Sequence, residues 1–72
     1  MTVQTLDTHG LRCPQPTIKI TVTAVRMKPG DVLEVVSDCP SFEKDVRDWC
    51  DRAMKTLLWF TDGMTKRCQI QF

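Results

Sequence analysis

Runs of apolar and β-branched residues predict four β-strands in the chain. Residues 32–36 are mostly apolar and rich in valine, which is typical of a mostly buried strand. Three further segments have a strand pattern: residues 3–6, 57–60 and 67–72. The last two flank Asp62-Gly63, a pair that favours a hairpin turn.

Residues 41–57 repeat apolar side chains with the period of an amphipathic helix. Six of these side chains fall on one helical face: Phe42, Val46, Trp49, Cys50, Ala53 and Leu57. Ser41 can cap the helix, and Glu43 in its first turn complements the positive end of the helix dipole. We therefore predict a helix here whose apolar face is buried.

Residues 18–25 are ambiguous, because their alternating β-branched side chains favour a strand. They also fit a helix with two apolar stripes, one of Ile18, Val22 and Val25 and one of Ile20, Ala24 and Met27. Pro14 and Pro16 favour the helix, since the backbone N–H groups of a first helical turn have no intrahelical partner to lose. We predict a helix over residues 14–27.

The resulting order, β-α-β-α-β-β, predicts an α/β fold. We expect a two-layer sandwich in which two helices cover one face of a four-stranded mixed sheet, with residues 1–72 forming a single domain. The helix between the first two strands should make them parallel. Their following loops, one with Cys13 and the other with Asp38 and Cys39, would then emerge at the same sheet edge.

Composition excludes several classes of function. The chain is 42% hydrophobic and 26% charged, and its net charge of +1 does not favour a nucleic-acid or anionic-membrane surface. The longest uncharged apolar run, residues 57–60, is too short to span a bilayer, and the first residues do not resemble a signal peptide. We expect a cytoplasmic protein that is a monomer when free.

The four cysteines favour neither a disulfide framework nor a zinc site. A disulfide framework requires an oxidising compartment, and the chain has no C-x-x-C pair and only one histidine, His9. Cys50 lies on the apolar helix face and Cys68 alternates with apolar residues of a strand, so both are predicted core residues, as are Trp49 and Trp59. His9 is expected to be a solvated turn residue or, as the alternative, a base.

Cys13 is the candidate for reactive chemistry, because it stands directly before Pro14 at the predicted helix start. The thiolate is the nucleophilic form, and a helix N-terminus lowers a cysteine pKa from about 8.5 to roughly 3.5–7.5 in favourable cases. Arg12 adds a positive charge, and Pro14 and Pro16 fix the backbone. We predict an exposed, activated sulfur that needs no general base, metal or cofactor; the alternative is a small buried residue near a turn.

Three stretches resemble the TusA/SirA sulfur-carrier family, including its YeeD-like and YedF-like relatives: LDTHGLRCPQP, MKPGDVLEV and SDCPSFEKDVRDWC. The family's hallmark is a C-P-x-P motif that opens the first helix. The resemblance implies a persulfide on Cys13. A cysteine desulfurase or rhodanese would supply its sulfur atom, and an acceptor protein would receive that atom. A membrane thiosulfate transporter is one candidate acceptor. Relatives serve tRNA thiolation, thiosulfate uptake or sulfur oxidation.

Cys39 departs from the family pattern, since many relatives have an acidic residue at this place after the aspartate. Its role stays open between loop packing and reactivity, and Asp38 stays open between capping a turn and orienting the site. Two other functions are also possible: a thiol-disulfide redox module that uses Cys13 and Cys39, and a non-catalytic interaction domain. RNA binding by such a domain is not expected, because the chain lacks tyrosine and any interleaving of basic and aromatic residues.

Overall fold

The predicted order of strands and helices is confirmed by the computed structural model, which describes residues 2–12 and 15–72. In these residues the elements are β1 (Val3–Asp7), α1 (Gln15–Ala24), β2 (Val32–Ser37), α2 (Phe42–Ala53), β3 (Thr56–Asp62) and β4 (Lys66–Gln71). The α/β class is therefore correct, and the ambiguous segment around Ile20 is helical.

The described strands form one mixed sheet in the order β1-β2-β4-β3. β1 and β2 are parallel neighbours, with Val3 opposite Val32 and Asp7 opposite Val36. β4 runs antiparallel to both β2 and β3. Because β1 and β2 are parallel, the β1–α1 loop and the β2–α2 loop leave the sheet at the same edge, as predicted.

The hydrophobic core lies between one face of this sheet and the two helices. Its buried members are Ile20, Leu33, Val35, Cys39, Phe42, Val46, Trp49, Cys50, Cys68 and Ile70. On α1 the stripe of Ile20 faces this core, and Ala24 and Met27 pack against it. The other predicted stripe, which includes Ile18 and Val22, is exposed.

Both helices are shorter than predicted. After Ala24, turn bonds from Arg26 N–H to the Thr23 oxygen and from Met27 N–H to the Ala24 oxygen replace the α-helical pattern. α2 ends at Ala53, because Met54 adopts the left-handed conformation (φ 58°, ψ 40°) that terminates helices. The prediction that the apolar helix face continues to Leu57 is therefore wrong. This residue belongs to β3, which confirms the strand predicted over residues 57–60.

The start of α2 also differs from the prediction. Ser41 occupies the N-cap position, but its side chain makes no capping hydrogen bond to the helix backbone. Its hydroxyl instead donates to the Asp45 carboxylate at 3.1 Å. Glu43 and Asp45 lie in the first turn, where their charges complement the helix dipole.

The two tryptophans have different environments, although both were predicted to be core residues. Trp49 is buried, and its indole N–H donates to the Thr21 hydroxyl of α1 at 2.9 Å. Trp59 is 37% exposed, so that prediction is wrong. A β-bulge between Leu57 and Trp59 shifts the alternation of β3, so Trp59 pairs with Gln69 rather than facing the core.

Candidate functional site

Thr8 anchors the β1–α1 loop at the sheet edge where β1 and β2 end. It is fully buried, and its backbone N–H and its hydroxyl both donate to the Val36 carbonyl oxygen, at 2.8 and 2.6 Å. These bonds extend the contact between β1 and β2 beyond the last residue of β1. The loop that carries Cys13 in the sequence therefore begins at a fixed point.

Asp38 joins the β2–α2 loop to the β1–α1 loop. Its Oδ1 atom accepts a hydrogen bond from the backbone N–H of Gly10 at 3.1 Å. Gly10 has a φ of +79°, a conformation that residues with a Cβ atom rarely adopt. Glycine and the carboxylate thus define together how the two loops approach each other.

The two loops form an open hollow of about 210 Å³ at this edge. Among the described residues its lining consists of Gly10, Leu11, Arg12, Asp38, Cys39 and Pro40. Both loops contribute to this lining, so the hollow depends on parallel strands that end side by side. Three of the predicted site residues, Arg12, Asp38 and Cys39, are brought together here.

Cys39 belongs both to the hollow and to the hydrophobic core. Cys39 is 7% exposed. Its backbone N–H donates to the Ser37 hydroxyl at 3.0 Å, and its Sγ atom lies 3.4 Å from the Ser41 hydroxyl. The loop is thus held by side chains on both sides of the thiol, while Cys39 still reaches the wall of the hollow.

Cys13 and Pro14 lie outside the described residues, so the exposure of Cys13 and the role of Pro14 stay predictions. The described residues on either side of them are hydrogen-bonded, since the Gln15 N–H donates to the Arg12 carbonyl oxygen at 2.8 Å. Arg12 is exposed. Pro16 is buried in the first turn of α1, where a proline removes no helical hydrogen bond.

The chain matches a known protein family over most of its length. The family model described as "Sulfurtransferase TusA" matches residues 4–70. The chain belongs to the TusA family. This membership confirms the resemblance found in the sequence.

A curated relative in Aquifex aeolicus (strain VF5) bears the name "Putative sulfur carrier protein". It is 40% identical over 55 residues, which cover 76% of this chain and 28% of the relative. This TusA-family chain therefore spans little more than a quarter of the length of that protein.

Cys50 and Cys68 of this TusA-family chain are core residues, as predicted. Cys50 is 4% exposed and Cys68 is fully buried. Burial raises the pKa of Cys50 to about 11, with a smaller contribution from Asp51. Burial, followed by the neighbouring Cys50, raises the pKa of Cys68 to about 12. Both side chains are therefore neutral thiols near pH 7.

His9 forms a local pair with Asp7 on the surface. In the sequence it directly precedes Gly10, which lines the hollow. The His9 backbone N–H lies 2.9 Å from the Asp7 Oδ1 atom, and its ring Nδ1 lies 2.6 Å from the same oxygen. The backbone hydrogen bond and then the ring hydrogen bond hold the pKa of Asp7 below its ordinary value. Both side chains are exposed, which agrees with the predicted solvated turn.

The described residues contain neither a candidate metal site nor a helix that could span a membrane. Residues 2–12 and 15–72 contain no group of three or more His, Cys, Asp or Glu side chains that could hold a metal ion. Neither α1 nor α2 has the length and apolar character that crossing a bilayer requires.

Two polar residues that shape the site, Thr8 and Ser37, were not predicted from the sequence. Both are fully buried, although the sequence pattern treats threonine and serine beside a turn as solvent-facing. The sequence signal that could have identified them is their position, because Thr8 directly follows β1 and Ser37 is the last residue of β2. A hydroxyl there can satisfy backbone groups that the ladder leaves unpaired.

Proposed function

We propose that the chain is a sulfur carrier that holds a sulfur atom as a persulfide on Cys13 and relays it between proteins. Membership of the TusA family and the name of the Aquifex aeolicus relative support a carrier role. The hollow at the sheet edge carries the proposal, because Gly10, Leu11 and Arg12, which directly precede Cys13 in the sequence, line it. A sulfur that arrives and leaves with a partner requires an open site.

The properties of the other thiols favour Cys13 as the carrier. Sulfur transfer requires a thiolate, and the raised pKa values of Cys50 and Cys68 keep both protonated near pH 7. α1 begins two residues after Cys13 in the sequence, and a helix N-terminus favours an anion. The exposed guanidinium of Arg12 adds positive charge on the preceding residue.

The transfer consists of two thiolate attacks. The Cys13 thiolate attacks the outer sulfur of a persulfide on the donor; a bond from Cys13 Sγ to that sulfur forms, and the donor cysteine leaves as a thiolate. An acceptor thiolate then attacks the outer sulfur of the Cys13 persulfide, and Cys13 leaves as a thiolate. The sulfur atom moves without a net oxidant or reductant.

The remaining site residues act on the loops rather than on the sulfur. Asp38 accepts the hydrogen bond from Gly10, so we assign it the orientation of the β1–α1 loop. Pro16 is buried in the first turn of α1 and fixes the backbone there, and Pro14 is proposed to do the same one position closer to Cys13.

The partners follow from the chemistry of the two attacks. The donor is a protein that forms a persulfide, of the cysteine desulfurase or rhodanese type. The acceptor is a second protein, for which a membrane thiosulfate transporter is one candidate. Residues 1–72 would act as one carrier domain in the cytoplasm, where thiols stay reduced.

Intact-mass spectrometry tests the proposal after incubation with a cysteine desulfurase and L-cysteine, and separately with a rhodanese and thiosulfate. The unmodified chain is expected to gain one sulfur atom, which a thiol reductant removes. Cys13→Ser should gain none and remain folded, whereas the matched variant Cys39→Ala should still be loaded. A sulfur atom on Cys13→Ser would contradict the assignment of the carrier.

A thiol-disulfide redox module is the second candidate function. It is favoured by one observation, that Cys39 lines the same hollow as Arg12, the residue before Cys13. The two functions differ in the oxidation state of the purified protein. A redox module should contain a Cys13–Cys39 disulfide at the redox potential of the cytosol, and a carrier should contain free thiols or a persulfide.

A further inference from the structure

The exposed side of α1 has apolar side chains that neither the core nor helix propensity explains. Ile18 is 54% exposed and Val22 59%, and Val25, in the turn after the helix, is 83% exposed. β-branched residues lower helix propensity at solvent-facing positions. A contiguous exposed apolar stripe usually marks a contact surface. We name these three residues, together with Lys19 and Arg26, the α1 face.

Charge is distributed unevenly along the sequence around α1, although the whole chain is nearly neutral. From residue 8 to residue 30 the sequence has four basic residues, Arg12, Lys19, Arg26 and Lys28, and all nine acidic residues of the chain lie elsewhere. The four basic side chains are exposed. In the described part of the chain none of them takes part in an ion pair.

A cleft between α1 and α2 continues the α1 face. It has a volume of about 390 Å³ and is lined in part by Ile18, Thr21, Trp49 and Arg52. Trp49 and Thr21, which line it from the two helices, are joined by a hydrogen bond. Arg52 adds a basic side chain to the lining.

We infer that the α1 face docks the protein that delivers sulfur to Cys13, and that this protein presents acidic residues around an apolar surface. The inference rests on the proposed function. α1 begins two residues after Cys13 in the sequence, so a donor seated on this face is held next to the carrier residue. Complementary charge speeds such an encounter and selects the partner.

The size of the α1 face fits a transient complex. A helix of ten residues is about 15 Å long. A contact confined to one such face would be small, and small interfaces are typical of weak and short-lived encounters. A carrier must leave its donor after each transfer, so a small interface suits this role.

Two other occupants fit the α1 face less well. A second copy of the chain would bring two identical basic faces together in a two-fold contact, which like charge disfavours. A lipid surface usually selects amphipathic helices with aromatic residues on the apolar side, and α1 has none. A protein with an acidic rim is therefore the occupant that the charges favour.

Matched variants test the inference through the rate of sulfur loading. Val22→Glu changes the α1 face, and Val3→Glu changes a valine of equal exposure, 59%, on β1. Lys19→Glu and Lys44→Glu form a second pair of exposed residues, on α1 and α2. Loading is measured by intact mass with three donors: a cysteine desulfurase with L-cysteine, a rhodanese with thiosulfate, and glutathione persulfide.

With the protein donor that loads the unmodified chain, we expect roughly tenfold slower loading of Val22→Glu and Lys19→Glu. Val3→Glu and Lys44→Glu should be loaded at the rate of the unmodified chain. All four should accept sulfur from glutathione persulfide at an unchanged rate, because a small donor needs no docking. Added salt should slow protein-dependent loading of the unmodified chain more than that of Lys19→Glu.

Each other outcome has a definite meaning. Equal loading of Val22→Glu and Val3→Glu by the protein donor would overturn the docking inference, as would loading of the unmodified chain by glutathione persulfide but by neither protein. Binding to phosphatidylserine vesicles that Val22→Glu abolishes would assign the face to a lipid surface instead. Failure of all three donors to load the unmodified chain would refute the proposed function, and the docking inference with it.

Discussion

The two buried thiols make the stability of the fold sensitive to alkaline pH. In an unfolded chain both would lose their protons near pH 9.0, the ordinary thiol pKa, whereas in the fold the pKa of Cys50 is about 11 and that of Cys68 about 12. Between pH 9 and 11 the folded state therefore binds more protons than the unfolded state. Stability is fully present below pH 9 and is lost as the pH rises.

The magnitude follows from the proton balance. Each thiol that is ionised only in the unfolded state lowers the free energy of unfolding by about 1.4 kcal/mol per pH unit. Two thiols together give a slope of nearly 3 kcal/mol per unit, or about 5 kcal/mol by pH 11. Small domains are stable by about 5–15 kcal/mol, so by pH 11 this loss should remove a large part of the stability of the fold.

Urea unfolding at pH 8, 9 and 10 in the presence of a reductant measures this slope. Cys68→Ala removes one of the two thiols, so its loss of stability between pH 8 and pH 10 should be about 1.4 kcal/mol smaller than that of the unmodified chain. Met64→Ala is the control, because it removes a fully exposed side chain and no titratable group, so it should leave the slope unchanged. Because the chain has no tyrosine, thiolate absorbance can follow the same titration. Equal slopes for Cys68→Ala and the unmodified chain would refute the burial argument.

Two further predictions concern the β2–α2 loop. Asp38→Ala removes the acceptor of the Gly10 N–H and should lower the free energy of unfolding by about 0.5–1 kcal/mol, which corresponds to a fall in Tm of roughly 2–8 °C. Asp38→Asn keeps an acceptor oxygen and should keep most of the stability. Equal Tm values for the two variants would show that the hydrogen bond does not contribute. Cys39→Ala should transfer sulfur at least as fast as the unmodified chain and keep its persulfide longer. A Cys39→Ala protein that loads sulfur but cannot pass it on would instead make Cys39 a relay residue.

The sequence pattern predicted the order and type of the strands and helices because each has its own local signal. The valine-rich run of β2, the helical period of α2 and the two prolines near the start of α1 in the sequence are independent of tertiary contacts. The bulge of β3 could not be predicted, since Leu57, Leu58, Trp59 and Phe60 are all apolar and show no alternation. The side of α1 that faces the core was equally undetermined, because both of its stripes are apolar.

The candidate site was predictable in outline but not in its hydrogen bonds. Parallel strands bring their loops to one edge, and this rule alone placed Asp38 and Cys39 near Arg12. The bond from Gly10 to Asp38 and the two bonds from Thr8 to Val36 each span 28 residues. They depend on the register between β1 and β2, which a local sequence pattern does not predict.

Thiol burial also bears on how a carrier with four cysteines keeps its sulfur on one of them. A persulfide can pass to any thiolate that reaches it, and the raised pKa values of Cys50 and Cys68 remove both from this competition near pH 7. Among the described cysteines only Cys39 reaches the hollow. An attack of its thiolate on Cys13 Sγ would expel sulfide and leave a disulfide, so the proposed fidelity of the carrier depends on how well the core and the two flanking serines restrain Cys39.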